Sequence, residues 1–121
     1  MFFLSVELNI SAAHFLRDFE GDCRRIHGHN WKIRVEVKSA AVNDVGMAMD
    51  FKDLKEASEK VVMRYDHQNL NEIAPFDSIN PTAENMARYL YHEIAQTLPK
   101  EVSMSKISIW ETEKYRLDYC E

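Results

Sequence analysis

The segment His27-Gly28-His29-Asn30-Trp31-Lys32-Ile33-Arg34-Val35-Glu36-Val37-Lys38 alternates without a break. From residue 30 onward, Trp31, Ile33, Val35 and Val37 point one way, and Lys32, Arg34, Glu36 and Lys38 point the other. A period of two is the mark of a half-buried strand, and residues 30–38 are the cleanest example in the chain. Continued backward, the apolar phase passes through His29 and His27. Residues two apart in an extended chain share a side, so both imidazoles prolong the apolar face. Residues 2–10 alternate as well, with Phe2, Leu4, Val6, Leu8 and Ile10 in one phase and Phe3 as the exception. If that strand stays extended to residue 14, His14 prolongs its apolar face. Antiparallel pairing of the two strands then brings His14, His27 and His29 to one end of one sheet face.

Further along, Asp50 is placed to cap a helix over residues 51–65. Phe51, Leu54, Ala57, Ser58, Val61, Val62 and Tyr65 form its stripe. A second helix is expected over 82–97, with Pro81 near its first turn and Ala83, Met86, Ala87, Leu90, Ile94 and Leu98 facing inward. Residues 66–80 read as a long polar connection, a length that is often functional. Residues 104–111 and 115–119 read as a closing strand pair. The order strand, strand, helix, helix, strand, strand predicts an α+β domain over residues 1–121, a four-stranded antiparallel sheet with both helices on one face.

At 121 residues, 45% hydrophobic and 29% charged, the chain suits one globular domain and not a disordered one. A net charge of −5 argues against nucleic acid as a partner. No run approaches the ~20 apolar residues of a membrane span, and Glu7 interrupts the apolar start, which also lacks a basic leader. With only Cys23 and Cys120, a disulfide framework is not expected, and a cytoplasmic setting with free thiols is.

Three histidines converging on one point are a donor set for zinc, and three leave the fourth position open, the catalytic pattern. Two histidines two apart also occur on surfaces by chance, so the phase agreement with His14 carries the reading. Cys23 lies among Asp22, Arg24 and Arg25, poor company for a core cysteine. The nearby arginines, or zinc, would favour thiolate, which makes Cys23 a candidate base, a nucleophile or a fourth ligand closing the site. Asp66-His67 is either an ordinary polar loop start or an oriented imidazole. Glu111 continues the phase of Ile107 and Ile109, so its carboxylate needs a partner, serves a ligand or turns to water at a frayed end.

Taken together, the motifs resemble the 6-pyruvoyltetrahydropterin synthase superfamily, and within it the carboxy-forming branch of queuosine biosynthesis. They are Ser11-Ala12-Ala13-His14, Cys23-x-x-x-His27-Gly28-His29-Asn30, Gly46-Met47-x-x-Asp50-Phe51-x-x-Leu54-Lys55, Tyr65-Asp66-His67-x-x-Leu70-Asn71, Asn80-Pro81-Thr82-x-Glu84 and Trp110-Glu111-Thr112. Each alone is modest; their order and spacing are specific and span nearly the whole chain. Three residues between cysteine and H-G-H match the carboxy-forming enzymes, where the pyruvoyl-forming ones have five. Retention of Cys23 argues against the members that carry Glu there.

The resemblance implies the tunnelling fold, closed into a homo-oligomeric barrel (tetramer or hexamer) with active sites shared between subunits. It implies zinc on His14, His27 and His29, and Cys23 as proton acceptor. Asp66 and His67 would be its relay partners, with Glu111 anchoring the pterin and joining the relay, and Thr82 contacting the pterin. The implied reaction is that of a lyase. It converts 7,8-dihydroneopterin triphosphate to 6-carboxy-5,6,7,8-tetrahydropterin, acetaldehyde and triphosphate. The alternatives are the pyruvoyl-forming synthase and a non-enzymatic zinc module.

Overall fold

The computed structural model describes residues 1–121. The alternating segments form β1 (Phe2–His14) and β2 (His27–Ser39), paired antiparallel along their full length. Leu8 lies opposite Ile33, Ile10 opposite Trp31, Ala12 opposite His29 and His14 opposite His27. The extended conformation of β1 does persist to residue 14, so the apolar phase of both strands runs unbroken into the histidines.

Helix α1 (Phe51–Val62) begins where Asp50 accepts a hydrogen bond from the Lys52 amide at 2.8 Å, satisfying one of the free amides of its first turn. It ends earlier than the stripe implied, because Met63–Tyr65 tighten into a 3₁₀ turn. Leu54, Ala57, Ser58, Val61 and Val62 are buried, and Ser58 donates its hydroxyl to the Leu54 carbonyl at 2.8 Å. Phe51 departs from the expected stripe and is exposed. Helix α2 spans Ala83–Ala95, shorter than 82–97. Thr82 is its cap rather than its first residue, with Oγ1 accepting from the Asn85 amide at 3.1 Å.

The closing pair is β4 (Ser103–Thr112) and β5 (Tyr115–Tyr119), with β4 antiparallel to β2. The sheet differs from the expected one in having five strands and mixed direction: with β3 (Gln68–Asn69) added, the order is β3-β1-β2-β4-β5. The extra member pairs parallel with Ala12 and Ala13. Two residues are too few to alternate, so nothing in the pattern of 66–80 marks a strand. The chain makes its turn into this pairing at His67, whose φ is 58°.

One apolar cluster unites the strands and both helices, from Leu8, Ile10 and Ala12 through Trp31, Ile33, Val35 and Val37 to Leu54, Leu90, Ile94, Ile107 and Ile109. The opposite sheet face carries no helix. It holds charged groups around Trp110, with Lys32 Nζ 4.1 Å from the ring centre and Arg34 and Arg116 beside it. No helix is long and apolar enough to cross a membrane.

Candidate metal centre and active site

Where the apolar face of β1 and β2 runs out, three imidazoles and one carboxylate meet. One donor atom from each of His14, His27, His29 and Glu111 lies within 4.8 Å of all the others. His14 is packed against His27 with ring centres 4.6 Å apart, and His27 against His29 at 4.8 Å. Trp31 forms the floor. It is fully buried, edge-on to His14 at 5.0 Å and to His29 at 5.1 Å, and anchored by donating Nε1–H to the Ala12 carbonyl at 3.1 Å.

Backbone carbonyls fix which ring nitrogen faces the cluster. His14 Nδ1 lies 2.8 Å from the Pro81 oxygen, and His27 Nδ1 lies 2.7 Å from the Arg25 oxygen. A carbonyl only accepts, so Nδ1 is the donor at each of these two rings, and for His14 this leaves Nε2 facing Glu111. Burial holds the His14 imidazole below the usual histidine range, and burial does the same to His29, so both rings are neutral at neutral pH. The Nε2 atoms of His14 and His29 are buried without a hydrogen-bond partner. They lie 3.3 and 3.1 Å from Glu111 Oε1.

Lone pairs facing a carboxylate oxygen at such distances require a proton or a cation between them. Neutral imidazoles with their outer nitrogens tied to carbonyls are the usual form of zinc-binding histidines. The four side chains therefore fit a metal ion. Glu111 points to the helix side of β4, as its phase required, and it is a third exposed.

The other predicted residues lie outside this cluster. Cys23 sits in a 3₁₀ turn, Asp22–Arg24, partly exposed and unpaired, and it is not among the four clustered residues. Asp66 accepts from the Ser11 amide through Oδ1 at 2.9 Å, and its Oδ2 lies 3.0 Å from His67 Nδ1. The Ser11 hydrogen bond, more than the neighbouring His67, holds the Asp66 carboxyl below its ordinary range. His67 is 81% exposed and lines an open groove with Ser11, Gly28, Asn30 and Asn69. The Thr82 hydroxyl is engaged in capping α2.

The carbonyls of Pro81 and Arg25 are contributions that no side-chain pattern announces. Trp31 could have been found, since it shares the phase of His27 and His29.

The model of the 6-pyruvoyl tetrahydropterin synthase family matches residues 3–121. The chain belongs to this family. It is 30% identical to the 6-carboxy-5,6,7,8-tetrahydropterin synthase of Haemophilus influenzae, over all of both chains. It is 33% identical to the dihydroneopterin monophosphate aldolase of Pyrococcus furiosus, covering 91% of this chain and 90% of that one. The fold is that of the 6-pyruvoyl tetrahydropterin synthase of Caenorhabditis elegans, with a TM-score of 0.85, 27% identity and coverage of 100% and 97%. The family assignment makes the chain a pterin-synthase-type lyase and leaves three named activities to choose among.

Proposed function

We propose that the protein is a zinc-dependent carbon–carbon lyase. Its substrates are 7,8-dihydroneopterin triphosphate and water, and its products are 6-carboxy-5,6,7,8-tetrahydropterin, acetaldehyde and triphosphate, feeding 7-deazapurine biosynthesis in the cytoplasm. The observation that carries this reading is a three-histidine cluster whose His27-Gly28-His29 pair follows, with three residues between, a partly exposed free cysteine.

His14, His27 and His29 would hold the zinc, which when bound supplies a positive charge against negative charge developing on the substrate side chain. The Cys23 thiolate takes the side-chain proton. A matched base contributes ~10²–10⁴ in rate. Asp66, held by the Ser11 amide, orients His67, which exchanges a proton with Cys23. In this reading Glu111 is not a zinc ligand: it accepts hydrogen bonds from the 2-amino and ring N–H groups of the pterin, which Thr82 also contacts.

His67 is largely exposed and outside the histidine cluster, which supports sites completed by a second subunit. No strand of this chain pairs with the outer edge of β1 from Phe2 to Ile10, and the outer edge of β5 is also unpaired. Such edges seek partners, and β5 of one copy beside β1 of the next continues the antiparallel alternation into a ring.

Mass spectrometry of the products from zinc-loaded protein and 7,8-dihydroneopterin triphosphate under anaerobic conditions tests the reading. A 6-carboxy-tetrahydropterin mass with acetaldehyde is expected. A pyruvoyl product moves the chain to the sister synthase with the same site. Turnover only of the monophosphate moves it to the aldolase, and no turnover of either substrate leaves the zinc module.

A further inference from the structure

Between His14 and the turn that carries Cys23 runs a short segment, Phe15-Leu16-Arg17, which belongs to no strand. Its two edges are occupied differently. On one edge, two asparagine side chains take the place of a neighbouring strand. Asn71 accepts from the Phe15 amide through Oδ1 at 2.9 Å and donates Nδ2–H to the Phe15 carbonyl at 3.0 Å. Asn80 does the same to Arg17, at 2.9 and 3.1 Å. Phe15 and Arg17, two apart, both turn their backbone groups to these carboxamides. Each carboxamide satisfies one donor and one acceptor, as a peptide unit of an adjacent strand would. From the other edge the Leu16 amide donates to the Cys23 carbonyl at 2.7 Å.

Asn80 is locked at its other end as well. Its carbonyl accepts from the Thr82 amide at 2.8 Å and from Asn85 Nδ2 at 2.9 Å, both at the start of α2. Pro81, whose carbonyl lies 2.8 Å from His14 Nδ1, is therefore held between two fixed points. Arg17 adds to the clasp by donating from Nη2 to the carbonyls of Phe76 and Asp77 at 2.9 and 3.2 Å.

We infer that Asn71 and Asn80 are positioning residues for the metal centre. They form a two-point splint that sets the His14 imidazole through Pro81 and the Cys23 backbone through Leu16. Neither is among the four clustered donor residues. The inference rests on the functional reading above for the roles of zinc and Cys23.

Outer hydrogen-bond partners of this kind typically alter metal affinity ~10–100-fold. Zinc affinity, measured by competition with a chromophoric chelator, is the readout, and the melting temperature of the metal-free protein is taken in parallel. Asn80→Ala and Asn71→Ala are each expected to weaken zinc binding about tenfold or more at temperatures where circular dichroism shows native structure. Asn43→Ala is the control. Asn43 Oδ1 accepts from the Val45 and Met47 amides at 3.1 and 3.0 Å in a remote turn, so its loss lowers stability without moving zinc affinity. Should Asn80→Ala not fold, Asn80→Asp keeps the acceptor for the Arg17 amide and loses the donor, and the same weakening is expected. Unchanged zinc affinity in folded Asn71 and Asn80 variants overturns the inference alone. An unaltered chain that binds no zinc overturns it together with the functional reading.

Discussion

Along a single face of β1 and β2 the chain does two different things. In the middle of the hairpin, Leu8, Ile10, Trp31 and Ile33 are at most 6% exposed. At its end, on the same face, His14 is 2% exposed. Burial does not separate the two regions. What separates them is polar satisfaction: the apolar side chains need no partner, and Trp31 spends its one donor on the Ala12 carbonyl. His14 keeps a buried Nε2 with no hydrogen bond. An unsatisfied buried polar atom costs about 1–3 kcal/mol. The hairpin middle thus contributes stability, and its end gives some up to keep bare donor atoms converged.

The largest effect that sharpens this contrast is on the metal. His14→Ala is expected to abolish stoichiometric zinc, read by elemental analysis of chelator-washed and reloaded protein. The metal-free form should remain folded, because the lost packing is offset by removal of an unsatisfied nitrogen. A variant that keeps zinc, or one that no longer folds, would erase the distinction between the two ends.

Next in size is Cys23→Ala. A residue outside the ligand cluster should leave zinc content intact while turnover falls ~10²–10⁴. Loss of zinc along with activity would instead make Cys23 a fourth ligand and the site a closed one.

At the hairpin middle the opposite pattern is expected. Ile33 is fully buried between β1 and β4, and Ile33→Ala should destabilise the protein by about 2–5 kcal/mol in denaturant unfolding. Zinc should stay at full occupancy in the folded fraction.

The contrast also explains what could be read in the residues beforehand. Alternation extends over many residues, so β1, β2 and the face shared by His14, His27 and His29 were legible, as was Glu111 from the Ile107–Ile109 phase. The Asp50 cap was legible because one side chain at one position does the work. Strand β3 was not, since a two-residue pairing leaves no period. Nor were the end of α1 at Val62 and the exposure of Phe51, which depend on how the helix sits against the sheet. The carbonyls of Pro81 and Arg25 that fix the ring tautomers are backbone atoms, which every residue has and no pattern distinguishes. Cys23, Asp66 and His67 belong to recognisable motifs, yet each lies outside the histidine cluster.

The smallest effect separates burial from charge. On the helix-free face, the Arg116 guanidinium lies 2.6 Å from Asp118 and pulls its carboxyl down to about 2. A carboxyl lowered on folding adds stability above its unfolded value near 3.9, and that contribution is lost as pH falls from there through about 2. Asp118 is 34% exposed and Arg116 45%, so solvent screens the pair to under about 1 kcal/mol. Asp118→Asn should therefore change stability at neutral pH by less than this, flatten the loss between pH 4 and 2, and leave zinc untouched. Urea unfolding across that range reads it. A loss as large as that of Ile33→Ala would mean that this face is not open to water in solution. The pair would then lie in the contact between β5 and a second copy's β1 proposed above.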